Sequence, residues 1–160
     1  MSHFFNKHLS CENYFQEFSN LNDLDQIIEL DSKYFPRPWT ARGWQDLVDY
    51  PQGYLLSIIR SPEQIIGFLL FKCIEEEMLA HLLKILVVPN FQNRGIAKEA
   101  FLEELSYLKQ LGLKKVHLEV EEGNIQGINL YHSLNFELIH KGQNYYNNGV
   151  NALIFQRKID

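Results

Sequence analysis

A single α/β domain built on a mixed sheet is the fold class this sequence predicts, and three observations carry that reading. Residues 78–88 form a strand: Leu82 to Val88 is an apolar run broken only by Lys84, and Pro89, which cannot donate to a ladder, stops it. Such a run is expected to be buried on both faces. A helical period follows, with Ala97, Ala100, Phe101, Leu105, Leu108 and Leu111 at three- and four-residue steps. Lys115 to Val120 then alternates, placing Val116, Leu118 and Val120 on one face and His117 and Glu119 on the other. A helix of this length between two strands makes them parallel neighbours, whereas the strands before it, joined by short turns, are antiparallel.

The remaining elements follow in order. Residues 1–13 are polar and without period, and are expected to be a loose N-terminal extension of a domain spanning 1–160. Tyr14 to Phe18 is a short first strand. Asn20 or Asn22 caps a helix whose apolar face runs through Leu24, Ile27, Ile28 and Leu30 toward Tyr34, and Pro36-Arg37-Pro38 stops it. Thr40 caps a second helix through Trp44, Leu47 and Val48, ended by Pro51-Gln52-Gly53. Strands at 54–60 and 65–74 flank the turn Ser61 to Gln64, with Gly67 marking a bulge or a close backbone approach. Glu75 to Glu77 is a solvated turn. Gly112 ends the long helix. Asn124 caps a short helix through Ile128 and Tyr131 to Ser133, and strands at 136–141 and 151–158 close the chain. The order is β-α-α-β-β-β-α-β-α-β-β.

Composition narrows the function. A net charge of −5, with Lys and Arg scattered, argues against a sequence-independent grip on nucleic acid. Cys11 and Cys73 fit reduced thiols of a cytoplasmic protein better than a disulfide scaffold. The first ten residues lack a signal-peptide run, and no stretch approaches the roughly 18 apolar residues of a membrane span. No Cys/His spacing suggests a metal. The expectation is a cytoplasmic protein without membrane, nucleic acid or metal, a monomer or a homodimer.

The chemistry is expected between strand 78–88 and the helix after it. A helix N-terminus presents unpaired N–H groups and the positive end of the macrodipole, which holds phosphate. Asn93 to Ala97 is therefore the candidate phosphate cradle.

Three pieces then carry a family resemblance: Gln92-x-x-Gly95-x-Ala97 after Val87-Val88-Pro89, Leu118-Glu119-Val120-x-x-x-Asn124, and Leu130-Tyr131-x-x-Leu134-x-Phe136. Together they resemble the GCN5-related N-acetyltransferases (GNAT), over roughly residues 20–159. Phe35-x-x-Pro38-Trp39-Thr40 and Asn144-Tyr145-Tyr146 look like the branch that acetylates protein α-amines, ribosomal proteins among them. Ala97 stands where a third Gly is commoner, and Asn135 where Gly is usual; Asn is the residue most at home in a left-handed conformation after Gly.

The resemblance implies a GNAT-like sheet splayed between strands 78–88 and 115–120, acetyl-CoA as donor, and a protein or peptide N-terminus as acceptor. Backbone of Leu86, Val87 and Val88 would pair with the pantetheine arm. Gln92, Asn93, Arg94, Gly95, Ile96 and Ala97 would hold the pyrophosphate, and Asn124 and Tyr131 would also touch the cofactor. Glu119 would be the general base, its pKa raised toward neutrality by apolar neighbours, and Tyr131, at an ordinary phenol pKa, the acid for the leaving thiolate. Trp39, Lys84, Tyr145 and Tyr146 would line the acceptor cleft, Lys84 standing where relatives tend to carry Asn. Plainer readings stay open. Glu119 is then a solvated or lysine-paired carboxylate, Tyr131 a packing residue, Trp39, Tyr145 and Tyr146 core or rim aromatics, and His81 and His117 satisfied sheet histidines. Rival acceptors are a lysine, a polyamine or a small-molecule amine. A rival of another class, a non-catalytic acyl-CoA-binding module, is disfavoured because Glu119 and Tyr131 are both present.

Overall fold

The computed structural model of the chain describes residues 6–8, 14–18 and 21–159. Strands β1 (Asn6–His8) and β2 (Phe15–Phe18) come first. Helices α1 (Leu24–Tyr34) and α2 (Ala41–Asp49) follow, then β3 (Tyr54–Arg60), β4 (Ile65–Ile74) and β5 (Leu79–Val87). The crossover helix α3 (Ile96–Gln110) leads to β6 (Lys115–Glu121), α4 (Ile125–Ser133), β7 (Glu137–Gly142) and β8 (Ala152–Lys158). The strands form one sheet in the order β1-β2-β3-β4-β5-β6-β8-β7. Among the described residues only β5 and β6 pair in parallel.

The expected order holds with one addition. Asn6–His8, expected in a loose extension, is a strand antiparallel to β2; the rest of 1–13 lies outside the described residues. One local expectation differs. The residue at the cap position of α1 is Asp23, with no side-chain cap, because a 3-10 turn over Leu21–Asp23 already leads the chain into the helix; Asn22 lies within that turn, and Asn20 lies outside the described residues. Thr40, in contrast, accepts from the Gly43 N–H, and Asn124 from the Gly127 N–H. Gly112 and Asn135 both take positive φ, as expected.

Helices α3 and α4 cover one face of the sheet through Ile96, Phe101, Leu105, Leu108 and Tyr131. Helices α1 and α2 cover the other through Ile27, Trp44 and Leu47. The strand buried on both faces is β4, not β5. Gly67 meets both expectations: β4 carries an extra residue at Ile66, and a Cβ on Gly67 would lie 2.3 Å from the Leu86 carbonyl oxygen.

A second bulge shapes the site. Leu70 opposes Lys84 and Phe71 opposes Leu82, so Leu83 is an extra residue in β5. A bulge bends its strand and shifts every later side chain to the other face. Leu82 packs with the α3 side, while Lys84 and Leu86 fall on the α1 side. Parallel pairing with β6 stops at the same point, Leu82 opposite Leu118. Beyond it the two strands splay, β6 staying with β8.

Glu104 of α3 is a fully buried carboxyl. Gln16 Nε2 and Ser57 Oγ donate to its Oε2 at 2.7 and 2.9 Å, while Glu104 Oε1 and Gln16 Oε1, both acceptors, have no partner. A proton on the carboxyl supplies the donor this pocket lacks. Burial pushes the Glu104 pKa from 4.5 to about 7, against the pull of the bonds from Ser57 and Gln16. The titratable groups beside it, Cys73 of β4 and Tyr107 of α3, are themselves pushed up and stay neutral. The folded state thus keeps a proton that the unfolded chain loses above pH 4.5. The resulting stability is fully present below 4.5, falls as pH rises, and is gone above about 7, a swing of roughly 3 kcal/mol. Glu104→Gln keeps a neutral donor at every pH. Urea melts are expected to show the variant matching the wild type near pH 4.5 and exceeding it at pH 8. A constant difference across that range would mean the carboxyl does not change protonation.

Candidate active site

A cleft of about 1000 Å³ opens where β5 and β6 part. One wall is the β5–α3 junction. Asn93 and Gly95 take left-handed conformations, with φ of 59° and 81°, on either side of Arg94. No side chain caps α3, so its first-turn N–H groups point into a bare concavity. A Cβ on Gly95 would meet no atom within 4 Å. Glycine is therefore required by the backbone angle, and the space above it is open to a ligand. Asn93, Gly95, Ile96 and Ala97 all line the cleft.

Two predicted cradle residues have other work. Gln92 Nε2 donates to the Val87 carbonyl at 2.7 Å, tying the turn to the strand it follows. The Arg94 guanidinium donates to the Asn90 carbonyl and the Tyr14 hydroxyl and does not line the cleft. The expected backbone surface on β5 also shifts. The Val88 N–H is bonded to the Ile66 carbonyl, and by antiparallel alternation Leu86 also turns its N–H and carbonyl to β4. Ile85 presents both of its groups to the splay and Val87 its N–H, the Val87 carbonyl being held by Gln92. Of the Leu86–Val88 run only Val87 offers an open edge, and Ile85 joins it; the bulge at Leu83 sets this parity.

The opposite wall carries Glu119. Its strand-mates Val116, Leu118 and Val120 are buried against α3, which turns Glu119 and His117 to the α1 face. His81, directly opposite His117 in register, shares that face. His81 Nε2 lies 2.6 Å from Glu119 Oε2, and His117 Nε2 lies 3.2 Å from Oε1. Burial raises the Glu119 pKa, but the hydrogen bonds and charge of His81 and His117 outweigh it, and the net shift is downward. The expected rise toward neutrality is corrected: the apolar neighbours lie on the other face of the strand. The histidines are indeed satisfied sheet histidines, and what satisfies them is the candidate base.

Tyr131 packs its ring against Phe136 and Phe155 and reaches the cleft from α4. Burial first, and then the charge of Tyr146, pushes its phenol well above the ordinary tyrosine range. The ordinary pKa expected for it is corrected accordingly, and its proton is held tightly. Asn124 lines the same cleft while capping α4.

The outer wall is the α1–α2 loop. Trp39 lines the cleft and packs its ring at a tilt against Trp44, centroids 5.0 Å apart. Lys84 does not offer its ammonium to an acceptor. Its Nζ is buried 2.6 Å from Asp31 Oδ1 and sits over the Phe35 ring. Burial lowers the Lys84 pKa, and Asp31 opposes that shift. Asp31 also accepts the Trp39 backbone N–H and the Trp44 indole N–H, so the pair fastens the loop to β5. Arg37 bridges the mouth, paired with Glu121 and stacked 3.8 Å over the Tyr146 ring. Tyr145 is half exposed; burial, the charges of Glu119 and Tyr146 and a hydrogen bond to Glu119 raise its hydroxyl pKa. At the far end of the β4–β5 hairpin, Glu75–Glu77 is an exposed 3-10 turn. Cys73 is a half-buried thiol raised to about 11, mainly by burial, which suits a structural role.

A splayed β5–β6 pair, a bare helix N-terminus in the splay and a carboxylate facing it define the class of protein. Residues 24–136 match the acetyltransferase (GNAT) family, and the chain belongs to it. It is similar to the ribosomal protein bS18-alanine N-acetyltransferase of Haemophilus influenzae, 27% identical over 124 residues, spanning 78% of this chain and 82% of that protein. The fold is shared with the ribosomal-protein-S18-alanine N-acetyltransferase of Escherichia coli, with a TM-score of 0.82 at 22% identity over 92% of this chain and 94% of that one. It is shared too with NAA60 of Arabidopsis thaliana in complex with acetyl-CoA, with a TM-score of 0.79 at 21% identity over 91% and 98%. No helix among the described residues is long and apolar enough to cross a membrane.

Proposed function

We propose that this acetyltransferase takes its acetyl group from acetyl-CoA and delivers it directly to the N-terminal α-amine of a protein, a ribosomal protein being the leading candidate. The observation that carries the reading is the placement of Glu119. It stands on the β6 wall of the splay, across the cleft from the bare α3 N-terminus and the open edge at Ile85 and Val87. The cradle at Asn93–Ala97 suits a pyrophosphate, and the strand edge suits an extended arm bearing amides. Acetyl-CoA supplies the thioester. Glu119, with His81 and His117 behind it, takes a proton from the incoming ammonium. The amine nitrogen bonds to the acetyl carbon, the carbon–sulfur bond breaks as the Tyr131 hydroxyl donates a hydrogen bond to the departing thiolate, and the second proton of that nitrogen passes to the thiolate, leaving the amide and the free thiol. With its raised pKa, that phenol acts by hydrogen bonding rather than by full transfer.

The acceptor assignment rests on the cleft mouth and on the relative from Haemophilus influenzae. A polyamine needs acidic anchors. The carboxylates after Glu119 on the chain are engaged, Glu121 by Arg37 and Glu122 by Lys141 and Asn151, and Glu75–Glu77 sits at the other end of β5. The aromatic side chains of Trp39 and Tyr146, which line the cleft, suit a peptide better, with Tyr145 exposed beside them. The test pairs thiol release with mass spectrometry over peptides with free α-amines, the same peptides blocked there but carrying Lys, and spermidine. Acetyl on the free α-amines alone is expected; acetyl mainly on Lys or spermidine would overturn the assignment.

The cradle is tested separately. Gly95→Glu sets bulk and negative charge where phosphates approach, and at φ 81° a side chain adds strain. Acetyl-CoA affinity measured by calorimetry is expected to fall about tenfold or more, with far-UV circular dichroism unchanged. Undiminished affinity would remove Asn93–Ala97 as the pyrophosphate site.

A further inference from the structure

The His81, His117 and Glu119 cluster has a chemistry beyond acid–base work. The three side chains come from adjacent parallel strands on one face, and one ligand atom of each lies within 4.8 Å of the others. The imidazole rings meet edge to face, with centroids 5.4 Å apart. Both Nε2 atoms already point at the carboxylate. Two imidazole nitrogens and one carboxylate oxygen, on side chains that are all partly exposed, form a three-ligand donor set with room for a further ligand. Zinc favours such sets, with metal–nitrogen and metal–oxygen distances near 2.0–2.2 Å. Closing the cluster around an ion needs only side-chain movement, since sheet pairing holds all three Cα positions.

We propose that His81 Nε2, His117 Nε2 and the Glu119 carboxylate bind a divalent transition ion of the zinc class, and that its binding arrests acetyl transfer. Each neutral imidazole moves its N–H to Nδ1 and gives the Nε2 lone pair to the ion. Glu119 then spends its charge on the metal and cannot accept the amine proton. Only this arrest depends on the function proposed above.

The site is tested on chelator-treated protein titrated with Co²⁺, followed by its visible d–d absorption, with Zn²⁺ as competitor and calorimetry for stoichiometry. One ion per chain is expected, displaced by Zn²⁺. His81→Ala and His117→Ala are each expected to weaken binding by roughly 100-fold or more, beyond the loss from disturbing an outer-shell partner. His140→Ala, an exposed histidine on β7 outside the cleft, should leave it unchanged. Thermal melts verify that the variants fold. Absent Co²⁺ absorption, or binding indifferent to both His81 and His117, overturns the site. Stoichiometric Zn²⁺ is expected to stop acetyl transfer, and a chelator to restore it; full activity with the site loaded overturns the arrest. If no amine is acetylated at all, the proposed function fails while the Co²⁺ titration still decides the site.

Discussion

Replacing Glu119 with Gln is expected to lower turnover by roughly 10²–10⁴ while leaving acetyl-CoA affinity and fold nearly intact. The amide keeps the shape and one acceptor oxygen, so the His81 and His117 side chains retain something to bond. What disappears is the negative charge that attracts the ammonium and receives its proton. Glu119 stands on the wall facing the cradle rather than in it, so cofactor binding has no reason to change. The loss should therefore appear in kcat for the acceptor half of the reaction, under conditions where chemistry limits the rate. His81 and His117 lie within hydrogen-bond reach of the same carboxylate and retain basic nitrogens, so a loss near the lower bound would assign them part of the proton transfer. Wild-type turnover would make Glu119 a structural partner of the two histidines and nothing more.

How much of this could be read from the chain depends on how local each feature is. Thr40 and Asn124 as caps, Asn135 in a left-handed turn, and the cradle around Gly95 are dictated within a few residues, and their residue types announce them. The bulge at Leu83 leaves no such mark, because it is a matter of register against β4. That one extra residue turns Lys84 from the face of Leu82 to the α1 face, where it pairs with the buried Asp31 instead of reaching an acceptor. It also changes which of Leu86, Val87 and Val88 face the splay. The His81–Glu119 contact spans 38 positions and depends on parallel pairing. Face assignment alone puts His117 beside Glu119, whereas His81 needs the register. Two buried acids did carry a signal. Glu104 falls in the stripe of Ala100, Phe101, Leu105 and Leu108, and Asp31 continues that of Leu24, Ile27 and Ile28. A carboxylate inside an apolar stripe must be protonated or paired, and the structure holds one of each kind.

The second large effect is expected at Asp31. Its carboxylate is fully buried and takes three donors: the Lys84 ammonium at 2.6 Å, the Trp39 backbone N–H at 2.8 Å and the Trp44 indole N–H at 3.2 Å. Asp31→Ala leaves a buried ammonium without its counter-charge and two N–H groups without acceptors. Breaking a buried pair from one side costs roughly 3–5 kcal/mol, mostly because the remaining charge is stranded. In a chain of this size that lowers the melting temperature by roughly 10 °C. The double variant Asp31→Leu with Lys84→Met removes the stranded charge and fills the space with apolar atoms, so part of the loss should return. Recovery should stop short of wild type, because the Trp39 and Trp44 N–H groups remain unpaired. The same two bonds hold the α1–α2 loop as the outer wall of the cleft. The double variant should therefore show a raised KM for the peptide acceptor even where its stability is largely restored. If Asp31→Ala melts within about 1 °C of wild type, the ion pair contributes little net stability, and the loop must be held by its packing on Trp44 and Phe68.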